Sequence, residues 1–192
     1  MNTEPLPEIT RRAPMSIPYS PSSVEAAIHL LRSLGAPHRL VLHGEIVAGV
    51  AGLLSDVIAD LGVGHDTDQV QIGAALHDAG KILHLDELEG PGCQHEVDGE
   101  NLLLDHGVSP QIARFCRTHG LVSDPTLMLE DHLVIAADHL WKGKRSNPIE
   151  SSITNEVARR LSIDVWQAFL SLDPFYEHIA SGADERLARA RF

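Results

Sequence analysis

The sequence predicts an all-α protein, a compact helical bundle with extra helices at its C-terminal end, and three observations carry that expectation. Apolar residues recur at steps of three and four through most of the chain, which puts them on single faces of helices. Aromatic residues make up only 4% of the 192 residues, so the core has to be built from Ala, Leu, Val and Ile, which pack well between closely spaced helices. No segment shows the strict alternation of a half-buried strand.

The elements follow in order. Residues 1–21 are proline-rich and aperiodic and read as an extended arm, leaving 22–192 as a single domain. Ser22 and Ser23 are candidate caps for a helix over Val24 to Leu34, which stops at Gly35. From His38 to Leu61 a stripe of His43, Val47, Val50, Leu54, Val57 and Leu61 defines a long helix with His43 on its buried side. Asp66 to Asp68 supplies the next cap, and a helix from Val70 ends with His77 and Asp78 before the Gly80 turn. Residues 84–94 read as a loop, and His95 to His106 as a helix ended by Gly107. Ser109 and Pro110 open a helix whose inner face holds Ile112, Phe115, Cys116 and His119. Thr126 to Trp141 places Asp138 on the same apolar stripe as Val134 and Ile135. Two more helices are expected, over Thr154 to Leu172 and over Pro174 to Arg189, the second capped by Asp173.

Composition excludes several classes of function. A net charge of −12 repels nucleic-acid backbones over the surface as a whole, and no nucleic-acid motif is present. The start of the chain has no apolar secretion core, and no run of about 18 apolar residues occurs, so a cytoplasmic protein without a membrane partner is expected. Cys93 and Cys116 lack metal-type spacing and read as free thiols.

The anomaly is the number of histidines, 12. One histidine on an apolar face is more often a hydrogen-bonded core residue than a ligand. Here His43, His77, Asp78, His95, His119 and Asp138 all face inward from different helices or helix ends, and one metal centre explains them together. Imidazole and carboxylate suit Fe, Mn, Co, Ni or Zn, and a cation offsets the cost of burying the aspartates. The absence of thiolates argues against a structural zinc site.

The string from Ala74 to Ile82, with His77-Asp78-Ala79-Gly80-Lys81 at its centre, resembles the signature of the HD superfamily of metal-dependent phosphohydrolases. His43 followed by Val47-Ala48 resembles that family's first ligand helix, and Ala136-Ala137-Asp138-His139-Leu140 its last ligand segment. The resemblance covers residues 38–141. It implies an HD-domain bundle in which His43, His77, Asp78 and Asp138 hold one metal. His95 and His119 match the further ligands of dinuclear members, which implies a pair of divalent transition-metal ions bridged by Asp78. Fe and Mn are the favoured ions, with Zn, Co, Ni and Mg as further candidates.

The activity implied is hydrolysis of a small phosphoester, a nucleotide or related metabolite, by a metal-bound hydroxide, with Asp78 orienting the nucleophile and Lys81 neutralising charge on the phosphoryl group. Lys81, Lys142, Lys144 and Arg145 are candidate phosphate contacts, although a basic run at a helix C-terminus also complements the helix dipole. Glu96 is the candidate for holding the ring of His95. Two other functions fit the same ligands: a mixed-valent di-iron oxygenase, which Lys81 disfavours, and a regulatory module that binds a nucleotide without turnover. A homodimer is compatible with the sequence.

Overall fold

The computed structural model describes residues 20–122 and 124–190. The expected arm falls almost wholly outside the described residues. Among those described there are helices and no strand, so the all-α expectation holds.

Helix α1 (Val24–Ser33) is capped by Ser23, whose hydroxyl accepts from the Ala26 amide. Helix α2 (His38–Asp60) is the central element and packs on α3 (Thr67–Leu76) and α7 (Leu129–Leu140). By length and composition α2 is apolar enough to cross a membrane, with a mean hydropathy of 1.6, but more than half of that stretch is buried inside the bundle. Asp66 caps α3 through the Gln69 amide, as its position in sequence implied.

After His77 and Asp78 the chain tightens into a 3-10 turn (Ala79–Ile82), and a second such turn (Leu85–Leu88) stands where a plain loop was expected. The first turn packs on α4 (Gln94–Asp105). Gly80 makes that packing possible, because a Cβ there would lie 2.0 Å from the His95 carbonyl oxygen. The doublet and His95 are thus fixed against one another by backbone.

The helix expected from Pro110 is divided at Arg114 into α5 (Pro110–Ala113) and α6 (Phe115–Thr118). Arg114 keeps helical dihedrals, so Ile112, Phe115 and Cys116 are still buried together. Asp131, itself fully buried in α7, accepts from Arg114, from the Thr118 hydroxyl at 2.8 Å and from the Met128 amide at 2.9 Å. That carboxylate ties the segment leading to His119 onto the helix that carries Asp138.

The C-terminal helices differ from expectation. They are α8 (Asn147–Leu161), α9 (Val165–Ser181) and α10 (Ala183–Arg189). Pro148 lies in the first turn of α8, Ser162 ends it in the left-handed region at φ 55°, and Asp164 caps α9. Pro174 lies inside α9 instead of starting a helix. The carbonyl it leaves without a helical donor lies in a solvent-exposed part of α9, where Leu170 and Phe175 stand outside the core. Asp173 caps nothing and instead accepts from Arg145 at 2.6 Å.

One continuous core joins these elements, including Leu54 and Ile58 of α2, Leu76 of α3, Leu133 and Ile135 of α7, and Ile149 and Ile153 of α8. Each such side chain contributes about 1.5–3 kcal/mol on burial.

Candidate metal centre

Five separate places in the chain deliver six side chains to one point. His43 comes from the second turn of α2, His77 and Asp78 from the junction after α3, His95 from the start of α4, His119 from the end of α6, and Asp138 from the last turns of α7. His77, Asp78 and His95 are buried, while His43, His119 and Asp138 are partly exposed.

The two oxygens of Asp78 face different imidazoles. Oδ2 lies 3.2 Å from His43 Nε2 and 3.6 Å from His77 Nε2. Oδ1 lies 3.3 Å from His95 Nε2 and 3.5 Å from His119 Nε2. Asp138 Oδ1 completes the first group, 3.4 Å from His43 Nε2 and 3.6 Å from His77 Nε2.

The far edges of the rings assign their tautomers. His77 Nδ1 donates to the Ala74 carbonyl at 2.7 Å, His119 Nδ1 to the Phe115 carbonyl at 3.2 Å, and His95 Nδ1 to the buried carboxylate of Glu87. A carbonyl or carboxylate can only accept, so in the neutral ring each Nε2 is a bare lone pair. Three lone pairs then converge on two carboxylates, and Asp78 Oδ1 is buried without a hydrogen-bond partner. Acceptors crowd acceptors unless a cation lies between them, a metal ion or, in its place, protons on the rings. The donor set of nitrogen and oxygen fits a divalent transition metal. Two groups, His43 with His77 and Asp138, and His77 with Asp78 and His119, each bring their ligand atoms within 4.8 Å of one another.

The electrostatics agree. Burial pushes Asp78 up, but His77 and then His43 and His95 hold it well below the usual carboxylate range. Asp138 is likewise lowered against its burial, chiefly by His77. Burial lowers His77, yet the charges of Asp78 and Asp138 and the Ala74 carbonyl together outweigh it and the net direction is up. His119 is pushed down to about 4 by burial and by His77. Two charged carboxylates in a partly dry site are the environment a cation stabilises.

Around the centre lies a cavity of about 630 Å³. Lys81, from the turn after Asp78, donates to Asp78 Oδ2 at 2.7 Å and lines it. Lys142 lines it too, 3.4 Å from Asp138 Oδ2. The remainder of the expected basic cluster lies elsewhere. Lys144 is exposed and outside the cavity lining. Arg145 is taken up by Glu150, Asp173 and Glu177, at 2.7, 2.6 and 3.0 Å, and so pins the start of α8 to α9. A guanidinium with three carboxylate partners is not free to bind phosphate.

The expectation for Glu96 is not met. Glu87, not Glu96, holds His95, and it accepts the backbone amides of Gln94 and His95 as well. The sequence marks Trp141 only as the end of a helix. Its indole N–H donates to Asp138 Oδ1 at 3.2 Å and its ring meets His43 edge-on, with centroids 5.2 Å apart.

Among known families, the HD domain family model matches residues 43–153, more than half of the chain and a span that holds all six side chains. No curated protein and no solved structure matches the chain. The match coincides with the geometry, since the His77-Asp78 doublet that marks such a domain is the pair at the middle of the centre. The chain belongs to the HD domain family.

Proposed function

We propose that the protein is a metal-dependent phosphohydrolase acting on a small phosphoester, with two divalent ions, Fe or Mn, held on either side of Asp78. The observation that carries this reading is the division of Asp78, one oxygen towards His43 and His77 and the other towards His95 and His119. HD proteins are broadly metal-dependent phosphohydrolases, which supports the reaction class without naming a substrate.

When bound, a pair of such ions supplies Lewis acidity towards a phosphoryl oxygen and lowers the pKa of water enough to give a nucleophile at neutral pH. The chain's own residues position and compensate charge. Lys81 spends one N–H on Asp78 and keeps two others for a phosphoryl oxygen in the cavity. Lys142 adds a second positive charge at the Asp138 side. Glu87, Ala74 and Phe115 hold three rings so that each presents Nε2 inward. Trp141 fixes the Asp138 carboxylate and forms part of the cavity wall.

The test is phosphate release from a broad panel of phosphomonoesters, nucleotides and cyclic dinucleotides by protein loaded with Mn or Fe, with Asp78→Asn as the control. Turnover of at least one compound that Asp78→Asn lacks is expected. No release from any compound, or oxygen uptake with a polyol or phosphonate in place of phosphate release, would overturn the reading.

A further inference from the structure

Glu96 follows His95 on α4 and lines the cavity, yet it holds no metal-ligand ring. Its Oε1 stands over Gly120, the residue after His119, where a Cβ would lie only 2.4 Å away. The missing side chain at Gly120 therefore makes the space that this carboxylate occupies.

The other carboxylates around the centre are partnered. Asp78 takes Lys81, Asp138 takes Trp141 and Lys142, and Glu87 takes His95 with two backbone amides. The Glu96 side chain has no hydrogen-bond or ion-pair partner among the described residues, and it stands half-buried at the cavity wall. Its oxygens are not among the buried unpaired atoms and can be reached from the cavity. In a ligand cavity the donor can come with the ligand, and analogues that lack it are then rejected. The cavity is thus lined both by the cations Lys81 and Lys142 and by the Glu96 carboxylate, which no side chain among the described residues pairs.

We propose that Glu96 is a specificity-determining residue that selects phosphoesters carrying an ammonium group, that is, aminoalkyl phosphates. The inference rests on the phosphohydrolase reading. An ammonium is preferred to a hydroxyl because a charge-assisted bond is about twice as strong as a neutral one. The phosphate end lies on the Lys81 side and the ammonium donates to the Glu96 carboxylate.

The experiment is calorimetric binding to the full-length, Mn-loaded protein, wild type and Glu96→Gln, with metal content measured for both. The probes are aminoethyl and aminopropyl phosphate, each against ethyl or propyl phosphate. In the wild type at least one aminoalkyl phosphate should bind about ten- to a hundredfold more tightly than its alkyl counterpart. Glu96→Gln should lose that margin and keep its affinity for the alkyl phosphate. Equal binding of both classes by the wild type, or equal loss of both in the variant, would overturn the role of Glu96 alone. Binding of neither class by protein that holds its metal would overturn this inference, whereas the phosphohydrolase reading falls only if no member of the broader panel is hydrolysed.

Discussion

Glu87 grips His95 twice, accepting from its ring Nδ1 and from its backbone amide at 3.2 Å. One buried carboxylate, eight residues upstream, therefore fixes both the orientation and the tautomer of a candidate ligand. Glu87→Gln should weaken metal binding about 10–100-fold while the fold is retained. Competition with a chromophoric chelator measures this, and unchanged affinity would count against the role assigned to Glu87.

Metal uptake should release protons. His77 and His95 both stand above their ordinary value: burial lowers each, but Asp78 together with Asp138 at His77, and Asp78 together with Glu87 at His95, outweighs it. The metal-free centre thus retains protons that a metal must displace, so apparent affinity falls as pH falls. The expected slope between about pH 8 and about pH 6 is up to about tenfold per pH unit for each proton displaced. His119, pushed down to about 4, is neutral across that window and adds nothing to the slope. Titrations in buffers of different ionisation enthalpy count the protons directly, and a pH-independent affinity would contradict the assignment.

Trp141 should report the metal. Its ring is 5.2 Å from that of His43 and its N–H holds Asp138, whereas Trp166, the other tryptophan, lies exposed on α9. Loading with paramagnetic Mn or Co is expected to quench Trp141 and to leave Trp166 bright. Trp166→Phe should keep the quench and Trp141→Phe should lose it. A quench of equal size in Trp141→Phe would place the ion elsewhere.

Asp131 binds the His119 segment to α7 through Arg114, Thr118 and the Met128 amide. Asp131→Ala leaves the partly buried Arg114 charge and Thr118 hydroxyl unpaired and should cost about 1.5–3 kcal/mol of stability in urea unfolding. A loss below about 1 kcal/mol would show that the network is not what anchors this segment.

The parts of the fold that local chemistry specifies were legible in the sequence. Ser23 and Asp66 cap their helices where side chains of that kind do so, and the stripe through His43, Val47 and Leu54 locates the centre of α2. Of the six candidate ligands, His43, His119 and Asp138 could be found because each interrupts an apolar face, while His77, Asp78 and His95 stood out through their resemblance to the HD signature. What failed depended on distant partners. Asp173 and Pro174 have the composition of a helix start, but Arg145, 28 residues away, takes the aspartate and α9 continues through the proline. The true break, at Ser162, carries neither Gly nor Pro. Glu87 and Glu96 are both acids close to His95 in sequence, and only the 3-10 turn over Leu85–Leu88 decides which one reaches the ring. The basic run after Asp138 divides for the same reason, with Lys142 lining the cavity and Arg145 drawn to the carboxylates of α8 and α9.

The central claim is that Asp78 separates two ligand groups, and elemental analysis of metal per chain tests it most directly, on wild type, His95→Ala and His119→Ala purified without added metal. Two ions in the wild type, falling to one in both variants, is the expected result. One ion in all three proteins would contradict it, leaving His43, His77, Asp78 and Asp138 as the ligands and returning His95 and His119 to the cavity wall.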